Sequence, residues 1–214
     1  MVKRHKTAKE TLAWLVKMGY ALCFPILLLI GGILLYALNS TRPEARIEGL
    51  PLLTVLVWAA ILGPVGLFGY RLVVRRRLIR NITAALRTKE HFAPDDAHEV
   101  YHDGEGKYLG IDIHNGTILY VHKVRNGAVD VVAMNMSDWI SSEVDNDGQK
   151  FSLLTKLPEL PRIEIVTPWA QRFHDTLGAM AVRKIGTANA FSSYVSVQRE
   201  RLERDFEIQI PRFA

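Results

Sequence analysis

Two long runs of uncharged, mainly apolar residues constrain the fold of this chain more than any other feature. Met18–Leu38 and Leu50–Tyr70 each span 21 residues without a charged side chain. A helix needs about 20 apolar residues to cross the hydrocarbon core of a bilayer. Pro25 and Pro64 lie inside the runs, but transmembrane helices tolerate proline. The sequence therefore predicts two transmembrane helices joined by a short loop.

The first run exceeds the apolar core of a cleaved signal peptide, which spans about 7–15 residues. Because a second run follows it closely, we interpret the first as an uncleaved signal anchor. The single cysteine, Cys23, lies in this run. No intramolecular disulfide can therefore form, which is typical of proteins that fold in a reducing compartment.

Basic residues lie before the first run and after the second. Two membrane spans would place these two flanks on the same side of the membrane. The connection 39–49 has only two arginines and two glutamates. Lys and Arg concentrate in cytoplasmic flanks, so we expect a bacterial inner-membrane protein with both termini cytoplasmic and the loop outside. The flanking basic residues are Lys3, Arg4, Lys6, Lys9 and Lys17 before the first run, and Arg71, Arg75, Arg76, Arg77 and Arg80 after the second.

The charge of the chain is unevenly distributed. The net charge is +5, but residues 1–80 carry twelve Lys and Arg against three acidic residues, whereas residues 81–214 carry fifteen against nineteen. A nucleic-acid-binding domain needs a basic surface where it meets phosphate. The mildly acidic C-terminal part therefore argues against nucleic acid as a partner.

The cluster of Arg75, Arg76, Arg77 and Arg80 has two interpretations. Interleaved apolar residues indicate that the second helix continues over Leu72–Leu86. One interpretation is a docking site for acidic lipid head groups. The other is an ordinary positive-inside anchor, which we favour because that rule alone accounts for the cluster.

Small residues in the second run raise the question of self-association. Ala59 and Gly63 are four residues apart, and Gly66 follows. Small side chains let helix backbones approach closely in lipid. Both a homo-oligomer and packing of the two spans within one hairpin would use such a stripe, and we favour packing within the hairpin.

From residue 107 the pattern changes to the period of two that indicates strands. Asn115-Gly116 and Asn126-Gly127 separate alternating apolar runs, which is the strongest short-range signal for a hairpin. A helix with an apolar stripe follows the strands, and Ala190–Phe206 forms a second helical stretch. The predicted strands are Lys107–Ile113, Thr117–Val124, Ala128–Met136, Trp139–Asp145, Lys150–Leu157 and Arg162–Val166.

These patterns predict an α+β membrane protein, with an N-terminal two-helix transmembrane hairpin and a cytoplasmic antiparallel β-sheet or half-barrel capped by C-terminal helices. The meander followed by a helix resembles pleckstrin-homology-like (PH) or GRAM-like half-barrels, which usually bind lipids, peptides or proteins. The predicted segments are a basic N-terminus (1–17), the first span (18–38), a periplasmic loop (39–49), the second span (50–70), a basic juxtamembrane helix (71–90), a linker (91–106) and the cytoplasmic domain (107–214).

One short motif suggests a metal site. His98, Glu99 and His102 match H-E-x-x-H, which on a helix places two histidines on one face to bind zinc, with the glutamate as general base. The context argues against this, because Pro94 precedes the motif and Asp103-Gly104 would end any helix directly after it. No phosphate-binding loop, dinucleotide fingerprint or nucleophile elbow is present either. We therefore predict neither a cofactor nor an enzyme.

The N-terminal sequence TAKETLAWLVKMGYALCFPILLLIGGILLYALN and the later YLGIDIHNGTILYV resemble surface (entry) exclusion proteins of conjugative plasmids of the IncI and IncL/M type. This resemblance covers most of the chain. It implies an inner-membrane protein that blocks transfer of a related plasmid into its host cell. The implied partner is a large membrane protein of the donor's type IV secretion apparatus.

Three hypotheses follow from the sequence. The leading one is plasmid exclusion through protein–protein contact. The second is a membrane-tethered, PH-like adaptor that binds anionic lipid or a cytoplasmic peptide. The third is a zinc peptidase, which substitution of Glu99 by Gln would inactivate.

Overall fold

The structure is a computed structural model that describes residues 8–40, 48–125, 127–183 and 190–211. The chain divides into two compact units, a helical unit within Lys3–Arg71 and an α+β unit from Leu72 onward. Most of the predicted loop at 39–49 lies outside the described residues. The α+β class, with two long apolar helices followed by antiparallel sheets and C-terminal helices, is confirmed.

All six predicted strands are present, with ends within two residues of those expected, and one further strand precedes them. Local sequence signals account for this accuracy. Gly116 and Gly127, in two of the predicted turns, adopt positive φ angles of 65° and 75°, which glycine accepts without steric cost. The elements are α1 (Ala8–Asn39), α2 (Leu50–Leu86), β1 (Glu99–His102), β2 (Lys107–Asp112), β3 (Thr117–Arg125), β4 (Ala128–Asn135), β5 (Trp139–Val144), β6 (Lys150–Thr155), β7 (Arg162–Val166), α3 (Ala170–Val182) and α4 (Phe191–Phe206).

The strands form two antiparallel meanders, a four-stranded sheet in the order β1-β2-β3-β4 and a three-stranded sheet in the order β5-β6-β7. The first sheet is apolar on both faces. Along β3, Ile118 and Tyr120 belong to one buried cluster, and Leu119 and Val121 belong to another. Since successive strand residues point to opposite faces, this sheet has to be covered on both sides.

The three-stranded sheet and α3 cover one face of the first sheet. Phe151 in β6 packs against Phe173 in α3, with ring centroids 5.8 Å apart. Leu177 and Met180 continue the buried stripe of α3, in agreement with the apolar stripe that the sequence predicts for this helix. Together these side chains close the core between the two sheets.

The other face of the first sheet is covered by the last part of α2 and by α4. Ile79, Ile82 and Leu86 of α2 are buried there. Phe92 stacks on Phe191 of α4, with ring centroids 5.2 Å apart and both side chains fully buried. The predicted basic juxtamembrane helix therefore supplies core residues to the α+β unit.

The predicted linker at 91–106 is the clearest error of the sequence reading. It contains a short 3-10 helix at Asp96–His98 and the strand β1, which pairs with β2. The buried carboxylate of Asp112 accepts hydrogen bonds from the backbone N–H groups of Ala93 and His114, at 2.7 and 2.9 Å. The polar composition of the segment suggests a linker. The buried side chain of Phe92 and the backbone pairing of β1 with β2 nevertheless fix it to the first sheet.

Candidate functional site

The arginine cluster lies on α2, within the α+β unit, and contacts β1 and the turn between β1 and β2. Arg75 donates a hydrogen bond from Nη1 to the carbonyl oxygen of Gly104 at 2.9 Å. Arg76 forms an ion pair with Asp103, with 3.2 Å between Nε and Oδ2. Arg80 lies over the ring of Tyr101, 5.3 Å from its centroid. Arg75 and Arg76 therefore hold this turn against α2, Arg80 contacts β1, and Arg77 is exposed.

The turn is shaped to receive Arg75. Gly106 has a φ of +68°, and a Cβ atom there would lie 2.5 Å from Cδ of Arg75. The backbone N–H of Lys123 donates to the carbonyl oxygen of Gly106 at 2.9 Å, which brings β3 to the same place. Burial, and then the charge of Arg75, lower the pKa of Lys123. Lys123 is a member of the basic site that sequence reasoning missed, because only tertiary structure brings it to α2.

The H-E-x-x-H motif does not lie on a helix. His98 ends the short 3-10 helix and Glu99–His102 is strand β1, so the spacing does not present two histidines on one helical face. His102 accepts a hydrogen bond at Nδ1 from the backbone of Glu105 at 3.1 Å. Among the described residues, no group of three His, Cys, Asp or Glu side chains is close enough to hold a metal ion.

Glu99, which occupies the general-base position of that motif, has a structural role. Its carboxylate accepts hydrogen bonds from the guanidinium of Arg87 and from the hydroxyl of Tyr108, the latter at 2.9 Å. Burial and then the charge of Glu99 raise the pKa of Tyr108. Burial alone would lower the pKa of Arg87, but its hydrogen bonds to Glu99 and Tyr108 outweigh burial and raise it. This network ties the residue that follows α2 to the first sheet.

The sequence analysis did not predict a second polar contact, between β5 and α3. The hydroxyl of Ser142 in β5 lies 2.8 Å from Nδ1 of His174 in α3. The residues are 32 positions apart, so no sequence spacing indicates the contact. Nucleophilic catalysis also needs a third group that orients the base, and no described residue is recorded in that position. The pair therefore joins α3 to the three-stranded sheet.

The helical unit presents apolar side chains outward. Met18–Asn39 and Leu50–Leu86 are long and apolar enough to cross a membrane, and the helical unit contains the first and the part of the second before Leu72. Leu22, Leu29 and Phe68 are 73%, 64% and 63% exposed. A soluble monomer rarely exposes apolar patches of this extent. Such an outer surface is suited to contact with lipid.

The small-residue stripe of the second run does not serve the packing we expected. The positions of Cβ atoms on Gly63 and Gly66 have no heavy atom within 4 Å, and Ala59 is exposed. A close contact between α1 and α2 is made instead by Gly31 of α1, whose Cβ position lies 3.2 Å from Ile61 of α2. Packing of the stripe within the hairpin was therefore a wrong prediction.

The two apolar helices and the two-sheet unit define a membrane-associated α+β protein without a recognisable catalytic centre among its described residues. The family model described as Exclusion-determining protein matches residues 1–214, and the chain belongs to this family. The resemblance to exclusion proteins is thereby confirmed, and the family supports a role in plasmid exclusion. No curated protein and no solved structure matches the chain.

Proposed function

We propose that this chain acts in the inner membrane of a plasmid-bearing cell and blocks transfer of a related conjugative plasmid by contacting a membrane protein of the donor's transfer apparatus. The match of the exclusion family to the whole chain carries the proposal. The described residues offer surfaces for contact, and their polar clusters are engaged in structural bonds. We therefore assign the chain to protein recognition.

The proposed topology places both termini in the cytoplasm and the loop 39–49 outside. The outward apolar side chains of the helical unit support membrane insertion, since burial in lipid would remove them from water. The excess of arginine after the second span supports the orientation. An alkaline phosphatase fusion to the C-terminus should be inactive, and one placed in the loop should be active.

A membrane-tethered adaptor that binds anionic lipid is the second candidate. The observation that favours it is the proximity of Arg75 and Lys123 at the β1–β2 turn. The engagement of Arg76 with Asp103 argues against it, because that carboxylate already neutralises one of the cations. If the chain is an adaptor, its function should persist when an unrelated two-span anchor replaces residues 1–71. Testing the same variant for exclusion compares the two candidate functions directly.

The test of the proposed function is the conjugation frequency into recipients that express the chain. Donors carry either a cognate IncI-type plasmid or an unrelated plasmid as control. We expect a large reduction for the cognate donor alone, with immunoblots confirming the protein in the membrane fraction. Equal frequencies for both donors would contradict the proposal.

A further inference from the structure

Strand β4 is the outer strand of the first sheet, and only part of its free edge is covered. Gln209, after α4, pairs with the edge in parallel. Its N–H donates to the carbonyl oxygen of Gly127 at 2.7 Å, and the N–H of Val129 donates to its carbonyl oxygen at 3.1 Å. The N–H of Val129 therefore points away from β3, and alternation along an antiparallel pair turns Val131 and Ala133 outward as well.

The pairing at Gln209 is a single bridge, and a chemical reason explains why it does not extend. The next residue in its ladder is Pro211, which has no N–H to donate to the edge. Within the described residues, no recorded hydrogen bond pairs the outward backbone groups of Val131 and Ala133. Further along, the N–H of Asn135 is occupied by the carboxylate of Asp138 at 2.9 Å. The open stretch of the β4 edge therefore covers Val131–Ala133, with Pro211 at one end and Asn135 at the other.

A groove of about 290 Å³ runs along this open stretch. Its walls are apolar where Val195 of α4 and Leu157 face β4, and Ser192 and Ser196 of α4 add hydroxyl groups. Arg199 also lines it, is half-buried, and forms no recorded ion pair with a described residue. An extended peptide uses this combination when it adds to a sheet edge, because main-chain bonds give affinity and side pockets give specificity.

We propose that this groove binds a short extended segment of a partner protein, which adds to β4 as a further strand, places an apolar side chain in the groove and presents an acidic side chain to Arg199. The bridge of Gln209 to the same edge shows that parallel pairing fits there. The guanidinium of Arg199, which forms no ion pair with a described residue, favours an acidic residue. Asp138 also lines the groove, but its carboxylate accepts the N–H of Asn135. A second copy of β4 fits less well, because residues beyond Ala133 on an antiparallel copy would meet Gln209.

The direct test uses a random dodecapeptide phage library and the full chain in lipid nanodiscs. Ser196→Trp fills the groove, and Ser193→Trp is the matched control, since both serines are exposed on α4 and only Ser196 lines the groove. We expect enriched peptides with alternating apolar residues and an acidic residue. Their affinity should fall about tenfold or more for Ser196→Trp, as expected when a central contact is lost, and stay unchanged for Ser193→Trp.

Two further variants separate the contacts. Arg199→Glu should reject the acidic peptides, since like charges placed together are repulsive. Ala133→Pro removes an N–H that the β3–β4 ladder does not use, so the sheet should fold while peptide affinity falls about threefold to tenfold, the effect of one lost hydrogen bond. A thermal unfolding curve equal to that of the wild type establishes that each variant is folded.

Each of four outcomes would overturn the inference. No enrichment, or enriched peptides that bind Ser196→Trp as well as the wild type, would remove the groove as a peptide site. Binding that requires deletion of residues 212–214 would assign the groove to the chain's own C-terminus. A dimer of the wild type that Ser196→Trp dissociates would assign it to a second copy.

A mating assay then asks whether the groove serves exclusion, and only this arm rests on the proposed function. Recipients with Ser196→Trp should admit the cognate plasmid, whereas recipients with Ser193→Trp should exclude it. If both variants exclude, the groove does not contact the donor protein and the proposed function stands. If the wild type does not exclude, the proposed function fails while the peptide binding measured above is unaffected.

Discussion

The substitution Leu86→Ala tests whether the end of α2 belongs to the core of the α+β unit. Leu86 is fully buried in the cluster that the first sheet forms with α4. The change removes three carbons, worth about 0.8 kcal/mol each on transfer to water, or about 2.4 kcal/mol. A residual cavity adds to this, so we expect a loss of about 3–4 kcal/mol in the free energy of unfolding.

The measurement is urea unfolding of the full chain in detergent micelles, followed by tryptophan fluorescence. Trp139 packs against the core between the sheets and therefore reports on the α+β unit. With a slope near 2 kcal/mol per molar urea, the midpoint should fall by about 1.5–2 M. Arg77→Ala, on an exposed position of the same helix, should change the free energy by less than about 0.5 kcal/mol. Equal, small shifts for both variants would refute the placement of α2 in this core.

The remaining predictions concern the polar network and the packing beneath it. Glu99→Gln weakens the acceptor of two hydrogen bonds and should cost about 1–2 kcal/mol in urea unfolding, whereas a catalytic base would lose activity at unchanged stability. Gly110→Ala places a Cβ atom 2.8 Å from Cζ of Phe92 and should cost about 1–3 kcal/mol, while Gly178→Ala, with nothing within 4 Å, should leave the melting temperature unchanged or higher. Because burial and then Glu99 raise the pKa of Tyr108 above its usual 10.0, the unfolded chain ionises first, and stability that is complete below pH 10 should fall as the pH rises above it. Tyr108→Phe should reduce that slope in unfolding curves measured across this pH range.

The strands could be predicted because their signals are local. Glycines that accept positive φ mark the turns, and alternating apolar residues mark the strands between them. Strand β1 was missed for the opposite reason. Val100 is the one aliphatic residue of Glu99–His102. The strand exists because it pairs with β2, a contact that no local pattern of these four residues encodes.

The candidate sites likewise combine residues that the sequence located with contacts that only the tertiary structure shows. The sequence located the four arginines, but not their contacts with Gly104, Asp103 and Tyr101. It also marked the H-E-x-x-H spacing, which has its zinc-binding meaning only on a helix. Because Glu99–His102 is a strand, Glu99 has a structural role instead, and its carboxylate accepts a hydrogen bond from the hydroxyl of Tyr108.

By itself the sequence determined the two apolar spans, the excess of basic residues beside them and the order of strands and helices. Each of these depends on residues close together in the chain, through helix length, charge or turn geometry. The tertiary structure decided that the end of α2 enters a core, that Glu99 serves the sheet and that β4 keeps part of its edge open. These depend on side chains far apart in sequence, whose contacts form only when the two sheets and α4 pack together.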